Sequence, residues 1–241
     1  MLTLLLAQNG DTALMLACAN EQEAAAGELM EATKRAGALD LQGGQYKRSA
    51  LHLASAKGLA DTVAQLLALG ADATLTDKEG KTAVEHAGND KVKAAFVEHA
   101  EHSDITDDNK DTLLLLCACL GLASRVRAVL QAGANAGHIN QNGDTALMLA
   151  CANKQEAAAG ELMEATKRAG ALDLQGGQYK RSALHLASAK GLADTVAQLL
   201  ALGADATRTD TNGDTALMLA CANEQEAAAG ELMEATKRAG A

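Results

Sequence analysis

Apolar residues in this chain come in short clusters at a nearly regular spacing, each opened by a hydroxyl-bearing residue. The clusters are Thr12-Ala-Leu-Met-Leu-Ala17, Ser49-Ala-Leu-His-Leu-Ala54, Thr82-Ala-Val-Glu-His-Ala87, Thr112-Leu-Leu-Leu-Leu-Cys117, Thr145-Ala-Leu-Met-Leu-Ala150, Ser182-Ala-Leu-His-Leu-Ala187 and Thr215-Ala-Leu-Met-Leu-Ala220. Successive starts lie 37, 33, 30, 33, 37 and 33 residues apart. Ser and Thr are good helix N-caps. Turn-forming pairs precede several of these starts, among them Asn9-Gly10, Glu79-Gly80, Asn142-Gly143 and Asn212-Gly213. A second helical pattern follows each cluster and closes on Gly-Ala. In Ala60–Ala71, Val63, Leu66 and Leu67 share one helical face and Gly70 stands where a helix ends. The predicted unit is a turn, a helix, a second helix and a loop, repeated about seven times with helices starting near 12, 49, 82, 112, 145, 182 and 215.

Composition narrows the class. The 241 residues include no Pro, no Trp, two Tyr and one Phe, so the 48% hydrophobic content is carried mainly by Ala and Leu. Small and unbranched side chains suit close-packed helices and disfavour sandwiches and barrels. A formal charge of −10 argues against a nucleic-acid partner, which would call for clustered Lys and Arg. Apolar runs such as Leu2–Ala7 and Leu113–Leu122 fall short of the roughly 20 residues of a membrane span, so no membrane partner is expected. The first residues carry neither the basic start nor the cleavage site of a secretion signal. With no N-x-Ser/Thr sequence and five cysteines, an odd number, the expectation is a cytoplasmic protein with reduced, buried thiols.

The 33-residue period, with Ser49-Ala-Leu-His-Leu-Ala54 opening one helix and Leu66-Leu67 before Gly70-Ala71-Asp72 closing the next, resembles the ankyrin repeat. Residues 49–77 match that pattern closely, and the resemblance extends over nearly the whole chain. The family's Pro after the first Ser or Thr is absent throughout; Ala or Leu replaces it, losing some rigidity and keeping helix propensity. The resemblance implies an all-α solenoid of about seven helix-turn-helix repeats forming a single array over residues 1–241. It also implies that His52 and His185 make structural hydrogen bonds between neighbouring loops. Units starting at Thr12 and Thr145 carry four extra residues, enough to lengthen the second helix by one turn, about 6 Å. The short unit at Thr82, with Glu85 where the others have Met or His, is the expected weak point.

A longer period lies over the first. Residues 8–77 recur as 141–210 with 68 of 70 positions unchanged, the exceptions being Glu21 against Lys154 and Leu75 against Arg208. Residues 9–38 recur without change as 212–241. Solenoid repeats ordinarily share only a structural skeleton, so agreement at surface positions points to copying. A recent tandem duplication and an engineered joining of blocks both fit, the latter suggested by Met1–Ala7, which resembles a replacement for an upstream unit, and by the stop after Gly240-Ala241.

Chemical signatures are sparse. Gly80-Lys81-Thr82 lacks the Gly of a phosphate loop at Leu75, and Asp210–Asp214 lacks the frame of a calcium loop. Glu98, His99, Glu101, His102 and Asp104 could be drawn with Cys117 and Cys119 as a zinc site, but those cysteines sit between leucines, where a thiol behaves as a small apolar group. No catalytic constellation emerges, and neither an enzyme, a cofactor nor a metal is expected.

The ankyrin resemblance directs attention to the turn tips and the exposed ends of the first helices. The residues it singles out for partner binding are Tyr46, Lys47, Arg48, Lys57, Leu120, Asn153, Tyr179, Lys180, Arg181 and Lys190. The two Tyr-Lys-Arg tips hold the chain's only tyrosines, and Tyr and Arg are frequent interface anchors. The expected function is a non-catalytic scaffold that binds an unidentified protein on its concave face and turn tips. Paired equivalent tips would favour a repetitive or dimeric partner. The alternative is an engineered or structural repeat module whose role is architecture or self-assembly, with self-association through the terminal repeats.

Overall fold

The computed structural model describes residues 9–239. The described chain contains thirteen α-helices and, besides them, only isolated β-bridges at turn tips. The proposed upstream replacement and the Gly240-Ala241 stop lie outside the described residues. Two compact units divide the chain between Asp104 and Ile105.

In the first unit, α1 (Ala13–Ala19) pairs with α2 (Glu23–Arg35), α3 (Ala50–Lys57) pairs with α4 (Ala60–Ala68), and α5 (Asp90–His102) packs on α4. First helices contact first helices and second helices contact second helices, so each pair stacks on the next. In the second unit α6 (Lys110–Leu120) and α7 (Ala123–Gln131), α8 (Ala146–Ala152) and α9 (Glu156–Arg168), α10 (Ala183–Lys190) and α11 (Ala193–Ala201), and α12 (Ala216–Ala222) and α13 (Glu226–Ala239) stack in that order.

The caps are those the sequence specifies. The side chains of Thr12, Ser49, Thr145, Ser182 and Thr215 each accept a hydrogen bond from the backbone N–H three residues on. Val63, Leu66 and Leu67 are buried, and Gly70 has a φ of +91° just beyond α4. The extra residues of the longer repeats extend α2 and α9 to 13 residues, against 9 in α4, α7 and α11.

The unit at Thr82 departs from the pattern. Thr82 and Glu85 form a cap in which the Glu85 carboxylate accepts from the Thr82 N–H at 2.7 Å, yet residues 83–86 make a turn and no helix. Gly88 ends that turn by donating to the Ser55 carbonyl at 3.0 Å, and Asn89 then caps α5 through the Val92 N–H. This unit is the 30-residue one, and its first helix is reduced to a single turn.

Candidate interaction surface

Five of the turns that open repeats are closed by an isolated β-bridge, and three of these are braced by the side chain of Asp77, Asn140 or Asp210. Asp77 accepts from the Glu79 and Lys81 N–H groups at 2.8 and 3.2 Å through one carboxylate oxygen. Its other oxygen accepts from Arg48 Nε at 3.1 Å and meets His86 Nε2 at 2.8 Å. Burial alone would push this carboxyl up; the hydrogen bonds from His86, the Lys81 and Glu79 backbone and Arg48 overcome it and hold it below its ordinary range. Asp210 repeats the arrangement with Arg181 at 3.0 Å and the Asn212 and Asp214 N–H groups at 2.8 and 3.1 Å.

These aspartates set the two Tyr-Lys-Arg tips. The Arg48 guanidinium carbon lies 5.0 Å from the Tyr46 ring centroid, and that of Arg181 lies 4.9 Å from the Tyr179 centroid. The Tyr46 carbonyl accepts from the Lys78 N–H at 2.8 Å, and the Tyr179 carbonyl from the Thr211 N–H at 2.9 Å, tying each tip to the next turn. Even so, Tyr46 and Tyr179 remain 45% and 44% exposed. Lys47 and Lys180 occupy the left-handed region at φ +54° and +51°, and both residues are exposed. The same residue sequence builds the same tip in both units.

The remaining sequence-selected residues differ in availability. Lys57 is exposed and bridges to Glu21 Oε1 of the preceding repeat at 3.1 Å. Lys190, its duplicate, is exposed, and the position equivalent to Glu21 is Lys154. Leu120 is half-buried at the end of α6. Asn153 is also half-buried, its amide donating to the Leu149 carbonyl at 2.9 Å as it closes α8. Exposed apolar residues that the sequence reading did not select include Leu41 and Leu174 beside the tips, Ile139, and Met218 and Met233 on the last helix pair.

His52 is fully buried, with Nδ1 2.8 Å from Ser49 Oγ and Nε2 3.2 Å from the Lys81 carbonyl, a bond that joins neighbouring turns. Burial pushes its pKa down to about 4 against the opposing pull of that carbonyl. His185 makes the equivalent contact to Ser182 at 2.8 Å, but its Nε2 has no hydrogen-bond partner. Asp144 is pushed up to about 6 by burial, partly offset by Lys180 and Asn140.

The Glu98–Asp104 cluster and Cys117-Cys119 belong to different units. Cys117 and Cys119 are buried, and among the described residues no three His, Cys, Asp or Glu side chains converge as metal ligands. The expectation of five buried thiols needs one correction. Cys18, Cys117, Cys119 and Cys151 are buried, whereas Cys221 is exposed, as among the described residues no helix pair packs on that face of α12. Burial raises Cys18 to about 11 and Cys151 to about 12. Among the described residues no helix is long and apolar enough to cross a membrane.

Stacked helix pairs with braced, exposed turns define a repeat protein built for display. Comparison with known proteins agrees. A family model described as ankyrin repeats (3 copies) matches residues 2–77 and 162–239, more than half of the chain. A mouse protein, ankyrin repeat and SOCS box protein 16, is 31% identical over 192 residues, covering 75% of this chain and 42% of its own length. The chain therefore spans about two fifths of that relative. It belongs to the ankyrin-repeat family, whose repeats are in general non-catalytic protein–protein interaction modules.

Proposed function

We propose that this chain is a cytoplasmic, non-catalytic scaffold that captures a protein partner with the Tyr46-Lys47-Arg48 and Tyr179-Lys180-Arg181 tips. Lys57, Lys190, Leu120 and Asn153 extend the contact along the ends of the first helices. The observation that carries this reading is the preorganised tip. Each Tyr is held by a guanidinium that is itself fixed to a buried carboxylate, yet it leaves close to half its surface open. Docking there immobilises few additional rotamers, which lowers the entropic cost of association.

A photo-crosslinking residue placed at position 46 or 179 tests this in cells. Discrete protein adducts are expected at both positions, weakened by Lys47→Glu or Lys180→Glu respectively. Adducts formed only from outer-helix controls such as Glu31 or Glu164 would overturn the reading.

A second reading, self-association through the terminal repeats, draws on Met218 and Met233, exposed at 54% and 47%. Concentration-dependent light scattering tests it.

A further inference from the structure

The two long copies within this chain differ so little that each difference can be weighed by itself. Residues 8–77 and 141–210 agree at 68 of 70 positions, and both exceptions change charge in the same direction. Lys154 stands where the first copy has Glu21, and Arg208 stands where it has Leu75. The second copy is therefore the more positive of the two, within a chain whose formal charge is −10.

The exchange at Glu21 falls on an occupied site. In the first unit the Lys57 ammonium, at the end of α3, lies 3.1 Å from the Glu21 carboxylate, which the turn after α1 presents to it. The second unit keeps the same frame. Lys190 ends α10 as Lys57 ends α3, Gly191 and Gly58 follow at φ +76° and +77°, and Lys154 takes φ +58° where Glu21 takes +60°. α8 packs on α10 as α1 packs on α3. A second ammonium thus replaces the carboxylate. Lys154 and Lys190 are both exposed, and neither forms an ion pair among the described residues; Glu224, at the corresponding turn of the next repeat, is not paired with Lys190 either.

We propose that Lys154 and Lys190 together receive a carboxylate from the partner, an Asp or Glu side chain on an extended acidic segment that also contacts the Tyr179-Lys180-Arg181 tip. This rests on the tip-capture reading above and names the chemistry of the partner at the second unit. The first unit supplies the precedent, since Lys57 in matching surroundings already holds a carboxylate. An incoming carboxylate is attracted to both ammonium groups of the second unit and offsets their mutual repulsion; at the first unit it meets Glu21 instead. The two tips are built alike, so this pair of residues decides which tip an acidic segment enters. Arg208, exposed and 3.9 Å from Asp205, adds to the positive field of the second unit. From its cap at Ser182 to Lys190, α10 rises about 12 Å, a distance that about four extended residues of a partner cover. Complementary charges at such an exposed rim act chiefly on the association rate and weaken with salt.

Selection of a random-peptide phage library on the immobilised 241-residue protein supplies the probe. Enriched peptides are expected to carry Asp or Glu and, once synthesised, to bind one per chain by calorimetry. Lys154→Glu installs the residue that positions 21 and 224 already carry, so the turn is retained and Lys190 gains the partner that Lys57 has. It should slow peptide association by about tenfold or more. Glu21→Lys makes the reverse exchange, and a second peptide should then bind at the first unit. Lys180→Glu should weaken binding as well, as the tip reading requires. Peptides that need Lys180 yet associate equally fast with the Lys154→Glu variant would overturn the carboxylate site and leave the tip reading intact. Peptides indifferent to both substitutions, or a library that yields no enriched sequence, would overturn both.

Discussion

At the scale of single residues, buried titratable groups tie stability to pH. His52 is depressed to about 4, so the folded state disfavours its charged form, while the unfolded side chain protonates near 6.5. Its contribution is complete above pH 6.5 and is lost as pH falls from there toward 4, up to about 3 kcal/mol across that gap. A urea midpoint for the first unit that rises between pH 4.5 and 7 is expected, and His52→Gln should flatten that rise. Asp144, raised to about 6, acts in the opposite sense in the second unit: its contribution falls as pH rises from about 4 to 6. Asp77→Ala would leave Arg48, His86 and two backbone N–H groups without their shared acceptor and should cost about 3 kcal/mol by chemical denaturation. Asp210→Ala should cost less, because Leu219 occupies the place of His86. Lys47→Gly relieves a left-handed backbone and should stabilise by about 1 kcal/mol while removing a displayed charge. It thereby separates binding from folding.

At the scale of elements, the apolar spacing made most of the helices readable. Val63, Leu66 and Leu67 fall on one face by sequence and are buried in the structure, so Leu67→Ala should cost about 2–5 kcal/mol, read as a shifted urea midpoint. The Thr-x-x-Glu start at Thr82 reads as a helix because the cap chemistry is local, and the cap does form. Only a turn follows, and Gly88 after it bonds to Ser55, a contact from the preceding repeat that no local pattern reveals. The tips show the same division. Tyr46-Lys47-Arg48 stands out in the sequence by residue type, but the Arg48–Asp77 bond that orients it joins positions 29 residues apart. Asn153 illustrates the reverse error of emphasis, since its exposed-helix position is legible while its use in closing α8 depends on side-chain geometry.

At the scale of the whole molecule, sequence identity does not give energetic identity, because a repeat's stability lies largely in its neighbours. Met30 and Met233 are preceded by the same residues and sit at the same place in the same helix, yet Met30 is 2% exposed and Met233 47%. Truncating Met30 leaves a cavity between α2 and its neighbour, whereas truncating Met233 removes a side chain that water already contacts. Met30→Ala should therefore cost about 2–5 kcal/mol locally, and Met233→Ala should fall within about 0.5 kcal/mol of wild type. The buried Cys18 thiol, one turn of helix from Met15 in the same repeat, is a probe for the local loss. In dilute solution Met30→Ala should accelerate its alkylation by the factor that the lost stability implies, about tenfold for each 1.4 kcal/mol when opening is fast. Met233→Ala should leave the Cys18 rate unchanged. Equal rates in the two variants would mean that the stacking interface contributes little, and that each helix pair holds its own shape by local propensity instead.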